Sequence, residues 1–152
     1  MWHNSFGSKF KISIWGASHT PEMGLRIEGV PVGIALSEDD FEADLSRRRA
    51  SAKGTTARHE KDIPTIVAGV ADGVTTGEPV EIVFHNGDTR SSDYSQFEAH
   101  NRPSHVDFTA RAKYGADVDL RGSGQFSGRM TLLLVAAGVV AKRVVGGGGY
   151  TT

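Results

Sequence analysis

Four short stretches carry side chains able to do chemistry. NRPSHVDF, residues 101–108, sets Arg102, His105 and Asp107 within six positions, with Pro103 fixing the backbone beside Arg102. GASHT, residues 16–20, puts His19 in a tight turn directly after an alternating run, and loops at strand ends are where catalytic groups are commonly displayed. An imidazole titrates near pH 6.5 and is the usual side chain for proton transfer at neutral pH, so both histidines are candidates and neither is decided by its own surroundings. RGSGQFSG, residues 121–128, brings glycines to the approach of an apolar segment. Exposed N–H groups before a helix favour a phosphate or another anion, although the G-x-G-x-x-x-G spacing is not a dinucleotide fingerprint and a flexible helix entry reads equally well. Arg47, Arg48 and Arg49 run together. They read as an anion clamp through their bidentate forks or as solvated charges that offset a helix dipole.

Other chemistries are poorly served. There is no cysteine, which removes disulfides, thiolate metal ligands and a cysteine nucleophile and suits a reducing compartment. The six histidines include no HExxH or equivalent pair, so no metal site is expected. A net charge of -1 gives no general attraction to nucleic acid or membrane. The N-terminus lacks a long apolar h-region, so no signal peptide is expected. The longest apolar or glycine run, Leu132 to Ala141, has ten residues, about half a membrane span. A cytoplasmic location is the expectation.

The elements that must hold these groups follow from periodicity. Lys9 to Trp15 alternates polar and apolar residues, as does GLRIEGV at 24–30, so two half-buried strands can pair as a hairpin around His19. Ser37 with Asp40 three positions on resembles a capping box, with Leu36 and Phe41 at staple positions. The helix 37–49 then carries acids in its first turn and arginines in its last. Residues 50–62 and 87–104 are polar and read as loops. TIVAGVADG (65–73) and PVEIVFHN (79–86) read as strands about the turn DGVTTGEP. The segment 125–145 reads as a helix apolar nearly all round, to be covered by a sheet or a partner subunit, and ended by Gly146 to Gly149.

Taken in order, these pieces resemble chorismate synthase. The family's opening strand and GESHG appear as FGSKFKISIWGASHT. Its GxPxGxxLSEED turn and helix ending in RRR appear as GVPVGIALSEDDFEADLSRRR. TTARHEKD (55–62), AGVADGVTTGEP (68–79), NGDTRSSDYS (86–95), RPSHVD (102–107), KYG (113–115) and RGSGQFSGR (121–129) follow collinearly, and LLLVAAGVVAKRVV resembles the family's alanine- and glycine-containing helix. The match runs over residues 5–145, and residues 1–145 are expected to be the N-terminal part of a single domain, with 146–152 a glycine-rich tail.

The resemblance implies an α+β sandwich, with antiparallel sheets inside and helices outside, assembled as a homotetramer. It implies a 1,4-anti elimination of phosphate from enolpyruvylshikimate phosphate to give chorismate in the shikimate pathway. Reduced FMN is required without net redox change, with NADPH a candidate reductant. The family's two histidines fall on His19, as proton donor to the departing phosphate, and His105, on the flavin side. Arg49, Arg102 and Arg129 fall on substrate-binding arginines, with Lys53 and Arg58 as further matches, and Gln125, Phe126 and Ser127 on a segment touching FMN. Asp107 is expected to orient the His105 imidazole. His59, His85 and His100 match nothing catalytic and read as surface residues.

Three positions depart from the pattern. Ala17 replaces a glutamate, Thr20 a glycine and Ser104 a glycine, and threonine disfavours a positive φ. Family members are more than twice as long. A noncatalytic phosphate- or flavin-binding module and an oligomerisation remnant are therefore the alternative readings, and self-association through the apolar helix is expected.

Overall fold

The computed structural model describes residues 4–48, 61–87 and 100–146. Arg49, Lys53, Arg58, His59 and the tail from Gly147 lie outside the described residues.

Five strands form one antiparallel sheet: β1 (Ser5–Phe6), β2 (Lys11–Gly16), β3 (Glu22–Glu28), β4 (Pro64–Ala68) and β7 (Val80–His85), in the order β1-β2-β3-β7-β4. The expected hairpin is β2–β3, running from Lys11↔Glu28 to Gly16↔Met23. Alternation decides its faces. Met23, Leu25 and Ile27 of β3 and Val80, Ile82 and Phe84 of β7 are fully buried, while Arg26 of β3 is exposed and pairs with Glu81 of β7 across the strands. Each such side chain contributes about 1.5–3 kcal/mol when withdrawn from water.

The segment expected as one strand over 65–73 is broken. β4 ends with a register shift between Ile66 and Ala68, and Gly69 turns the chain at φ +83°. A small two-stranded hairpin follows, β5 (Val70–Ala71) with β6 (Val74–Thr75).

Two helices cover the inner face of the sheet. Glu38–Phe41 is a single 3-10 turn that continues as α1 (Glu42–Arg48). The Ser37 N–H donates to Asp40 Oδ2 at 2.8 Å, and Leu36 and Phe41 both reach the core. α3 (Thr131–Val144) starts six residues later than expected, because the extended backbone at Ser127 (ψ 143°) breaks the helical path and a single 3-10 turn, Gly128–Met130, precedes the helix. Its inner face, Leu132, Leu133, Ala136 and Val140, packs on the sheet; Leu134 stays about half exposed. Arg121–Val144 is long and apolar enough, by length and composition, to cross a membrane. Only the 14 residues of α3 are α-helical, however, and at ~1.5 Å each they span roughly 21 Å, short of the ~30 Å hydrocarbon core. A further helix, α2 (Asp107–Tyr114), stands inside a region that periodicity left without a helix and closes at Gly115, φ +95°.

Candidate functional site

The turn after β2 is closed by a side chain. The Thr20 hydroxyl accepts the Ala17 N–H at 2.9 Å and lies 2.8 Å from both the Ala17 and Glu22 carbonyls. Thr20 is absent from the positive-φ residues, so the conformational objection to threonine here does not arise: its hydroxyl stabilises a turn that needs no glycine. Ala17 is buried. Ser104 is the opposite case. It holds φ +60° where the pattern has glycine, a conformation that costs an ordinary residue about 1 kcal/mol.

His19 is displayed at the tip of that turn with only 9% of its surface exposed. The glycine-rich loop packs directly on it. Ser18 N–H donates to the Gly124 carbonyl at 3.1 Å, and a Cβ on Gly122 would sit 2.3 Å from His19 Cε1 and 2.6 Å from Nδ1. Gly122 therefore leaves the space that the imidazole occupies. The same loop meets Arg102, whose Nη2 lies 3.4 Å from the Leu120 carbonyl. His19 and Arg102, 83 positions apart in sequence, thus border one loop. Asp119, at its start, forms a fork with Arg121 (2.8–3.0 Å); that hydrogen bonding holds its carboxyl below the usual carboxylate range, with a smaller contribution from His19.

Asp107 does not orient His105. Its carboxylate accepts from Arg102 three times: the main-chain N–H at 3.0 Å, Nε at 2.8 Å and Nη2 at 2.7 Å. This pairing, above all the side-chain hydrogen bonds, holds the Asp107 pKa at about 2 despite burial. The reason is geometric: the RPSH turn folds Arg102 back over the first turn of α2. His105 is exposed instead, with Nδ1 2.9 Å from the Pro103 carbonyl. His85 and His100 are exposed, as expected for surface residues.

Arg129 is 9% exposed and sits at the foot of α3. Its Nη1 donates to Asp62 Oδ1 and its Nε to Asn86 Oδ1, both at 2.8 Å. The other Asp62 oxygen faces Arg48 Nη1 at 3.4 Å. Arg48 Nη2 donates to the carbonyls of Gly128 and Arg129 at 3.2 Å. Burial is the main cause lowering the Arg48 pKa, against the pull of Asp62 and with the push of Arg129. Of the arginine run, Arg47 fits the solvated reading, pairing with Asp44 at the surface, whereas Arg48 turns inward. Among the described residues, two guanidiniums flank one buried carboxylate, and Asn86 links this cluster to the turn of His19.

Sequence reasoning passed over Asp62 and Asn86 as site residues, and weighed Arg48 only as one of three arginines in a run. Asp62 and Asn86 end and begin quoted motifs, TTARHEKD and NGDTRSSDYS, and no local pattern shows that they meet.

Gln125 and Phe126 line a cavity of about 280 Å³, with Asn4, Ser5, Phe6, Ile12, Ile14 and Leu134. Gln125 Oε1 accepts from Asn4, and its buried Nε2 has no hydrogen-bond partner among the described residues. Phe126 is partly exposed and tilted against Tyr114. An apolar slot with an orphaned amide fits the ring of a flavin, which offers both an aromatic face and polar edges. No described cationic residue lines the slot to meet a flavin phosphate. Ser127 points elsewhere, its Oγ accepting the Arg129 N–H at 3.3 Å. Neither His19 nor His105 lines this cavity.

The family model for chorismate synthase matches residues 10–150. The chain is 52% identical over 145 residues to chorismate synthase of Chitinophaga pinensis, covering 95% of this chain and 44% of that protein. It is 46% identical over 146 residues to the chorismate synthase of Syntrophobacter fumaroxidans, covering 96% and 41%. A crystal structure of chorismate synthase superposes with a TM-score of 0.64 at 24% identity, over 93% of this chain and 36% of the other. The chain thus spans less than half the length of the relatives it matches.

Proposed function

This chain belongs to the chorismate synthase family, and on that premise we propose that it carries the N-terminal share of a site that eliminates phosphate from enolpyruvylshikimate phosphate to give chorismate. The observation that carries the reading is the shared setting of His19 and Arg129: a nearly buried imidazole on a turn that Asn86 anchors to a cluster of two arginines about one buried carboxylate. A substrate with two carboxylates and a phosphate calls for such charge, because guanidinium forks satisfy those oxygens directly. His19 donates a proton to the departing phosphate as its C–O bond breaks, which lowers the charge on the leaving group. Arg129 and Arg102 bind the substrate, the second oriented by Asp107 through its Nε and Nη2 edge. Arg49, Lys53 and Arg58, outside the described residues, are proposed as further substrate-binding side chains.

Reduced FMN, when bound, supplies the reducing character that the elimination requires without net redox change, and NADPH is the reductant that would keep it reduced. Gln125 and Phe126 would hold its ring, Ser127 would fix the loop beside them, and His105, exposed and outside that slot, would act on the flavin side. The enzyme is placed in aromatic biosynthesis in the cytoplasm, acting on a small molecule as a homo-oligomer, tetrameric as in the family. Residues 1–145 form one part of a single domain, followed by a glycine-rich tail.

Chorismate formation by the purified chain, with enolpyruvylshikimate phosphate and chemically reduced FMN under anaerobic conditions, tests this. Turnover lost in His19→Ala and His105→Ala supports the reading; turnover that survives both refutes it. The apolar slot with the unpartnered Gln125 Nε2 supports one second reading, a noncatalytic phosphate- or flavin-binding module. That module binds phosphate or FMN with no turnover, and its binding survives both histidine substitutions.

A further inference from the structure

We propose that Asn86 is a positioning residue that sets the His19 turn against Arg129, so that imidazole and guanidinium address one bound anion. Asn86 stands one residue past the end of β7 and is anchored by its own N–H, which donates to the Pro21 carbonyl at 2.9 Å. Its side chain faces two ways. Nδ2 lies 2.8 Å from the Thr20 carbonyl and 3.3 Å from the Ala17 carbonyl, the residues that bracket Ser18 and His19. Oδ1 accepts from Arg129 Nε at 2.8 Å.

Only one amide orientation satisfies all three contacts. A guanidinium Nε can only donate and a main-chain carbonyl can only accept, so the oxygen must face Arg129 and the NH2 must face the turn. A flip would set donor against donor and acceptor against two acceptors. Aspartate is isosteric but brings no donor to the turn, and serine or alanine cannot span both sides. Asparagine is thus the residue type that this junction requires. Arg129 is in turn locked by Asp62, which also takes Arg48. One side chain therefore joins the loop of the acid to the buried cationic cluster.

The positioning itself is independent of what the anion is; the anion's identity as the substrate phosphate rests on the function proposed above. The two are tested separately by NMR of the His19 imidazole, assigned with His19→Gln. The first arm is a double-mutant cycle on its titration midpoint in the free protein, using Arg129→Lys and Asn86→Ala. Lysine keeps the charge at 129 and removes the Nε contact, so direct charge effects are largely held constant. Arg129→Lys is expected to move the His19 midpoint by about 0.3 pH unit or more in the parent and by far less once Asn86 is replaced. Additive effects overturn the proposal. If Asn86→Ala does not fold, Asn86→Asp takes its place in the cycle, since it keeps the volume and still lacks a donor for the turn. The second arm adds inorganic phosphate to the parent. A coupled cycle without a phosphate response of His19 retains the positioning role and refutes the phosphate-side role. A phosphate response with an additive cycle does the reverse.

Discussion

Replacing Asp107 with asparagine removes a charge and keeps the shape, so its consequence can be worked from the Arg102 pair alone. The folded state holds the carboxyl at about 2 against an ordinary value of 3.8. At about 1.4 kcal/mol per pH unit, that difference amounts to roughly 2.5 kcal/mol of stability. The sign follows from the lowered folded value: the contribution is complete above about pH 4 and is lost as the pH falls from 3.8 towards 2. The Arg102 and Asp107 side chains are 12% and 2% exposed, so solvent screening removes little of it. Asparagine keeps one acceptor but turns an NH2 towards a donor of Arg102, so Asp107→Asn should cost about 2–3 kcal/mol at pH 7. For a chain of this size that lowers Tm by roughly 5–10 °C. Urea unfolding of parent and variant at pH 7, 4 and 2.5 measures it, with the gap closing across the last interval. A gap below about 0.5 kcal/mol at pH 7, or one that stays constant down to pH 2.5, would refute the reasoning.

Gly122→Ala should disturb His19 directly, because the new methyl lies 2.3 Å from its Cε1 and the backbone φ is +56°; a loss of about 1–3 kcal/mol with a shifted His19 resonance is expected, and a silent variant would show that the loop yields. Ser104→Gly should stabilise the chain by about 1 kcal/mol by relieving φ +60°, read as a rise in urea midpoint. Asp62→Asn leaves Arg48 and Arg129 facing each other without the charge between them and should cost about 2–4 kcal/mol; a variant as stable as the parent would mean that an anion or solvent already neutralises the pair. Phe6 and Leu134, 79% and 49% exposed at the mouth of the apolar cavity, should drive self-association, so Phe6→Ser with Leu134→Gln shifts sedimentation towards monomer, and an unchanged distribution places the association surface elsewhere.

The strands were legible because alternation is local. Lys9 to Trp15 and 24–30 already display which side chains face inward, and β2–β3 forms where they predict it, within two residues. The capping residues Ser37 and Asp40 were legible for the same reason, since a helix start is decided within four positions. α2 escaped because its apolar residues are few, and its first buried side chain is a carboxylate, Asp107, made acceptable in the interior only by Arg102. The late start of α3 lies in the extended backbone of Ser127, whose hydroxyl accepts the Arg129 N–H at the head of the 3-10 turn Gly128–Met130, a break that the apolar periodicity does not signal.

The family and the identities of His19, His105, Arg102 and Arg129 as candidates were determined by residue order alone, because motif types and spacing survive without coordinates. What each side chain does with its neighbours was decided only by the tertiary structure. Sequence left Asp107 free to serve His105, and the turn gave it to Arg102. It allowed Arg48 to be a solvated helix end, and packing drew it to Asp62 and the Arg129 carbonyl, 81 positions away. It contained nothing to join Asn86 to both Thr20 and Arg129, 66 positions before it and 43 after it. Periodicity reports which face of an element avoids water. Hydrogen-bond and charge pairing depends on which distant groups are desolvated together, and that is settled when the sheet and α3 close over them.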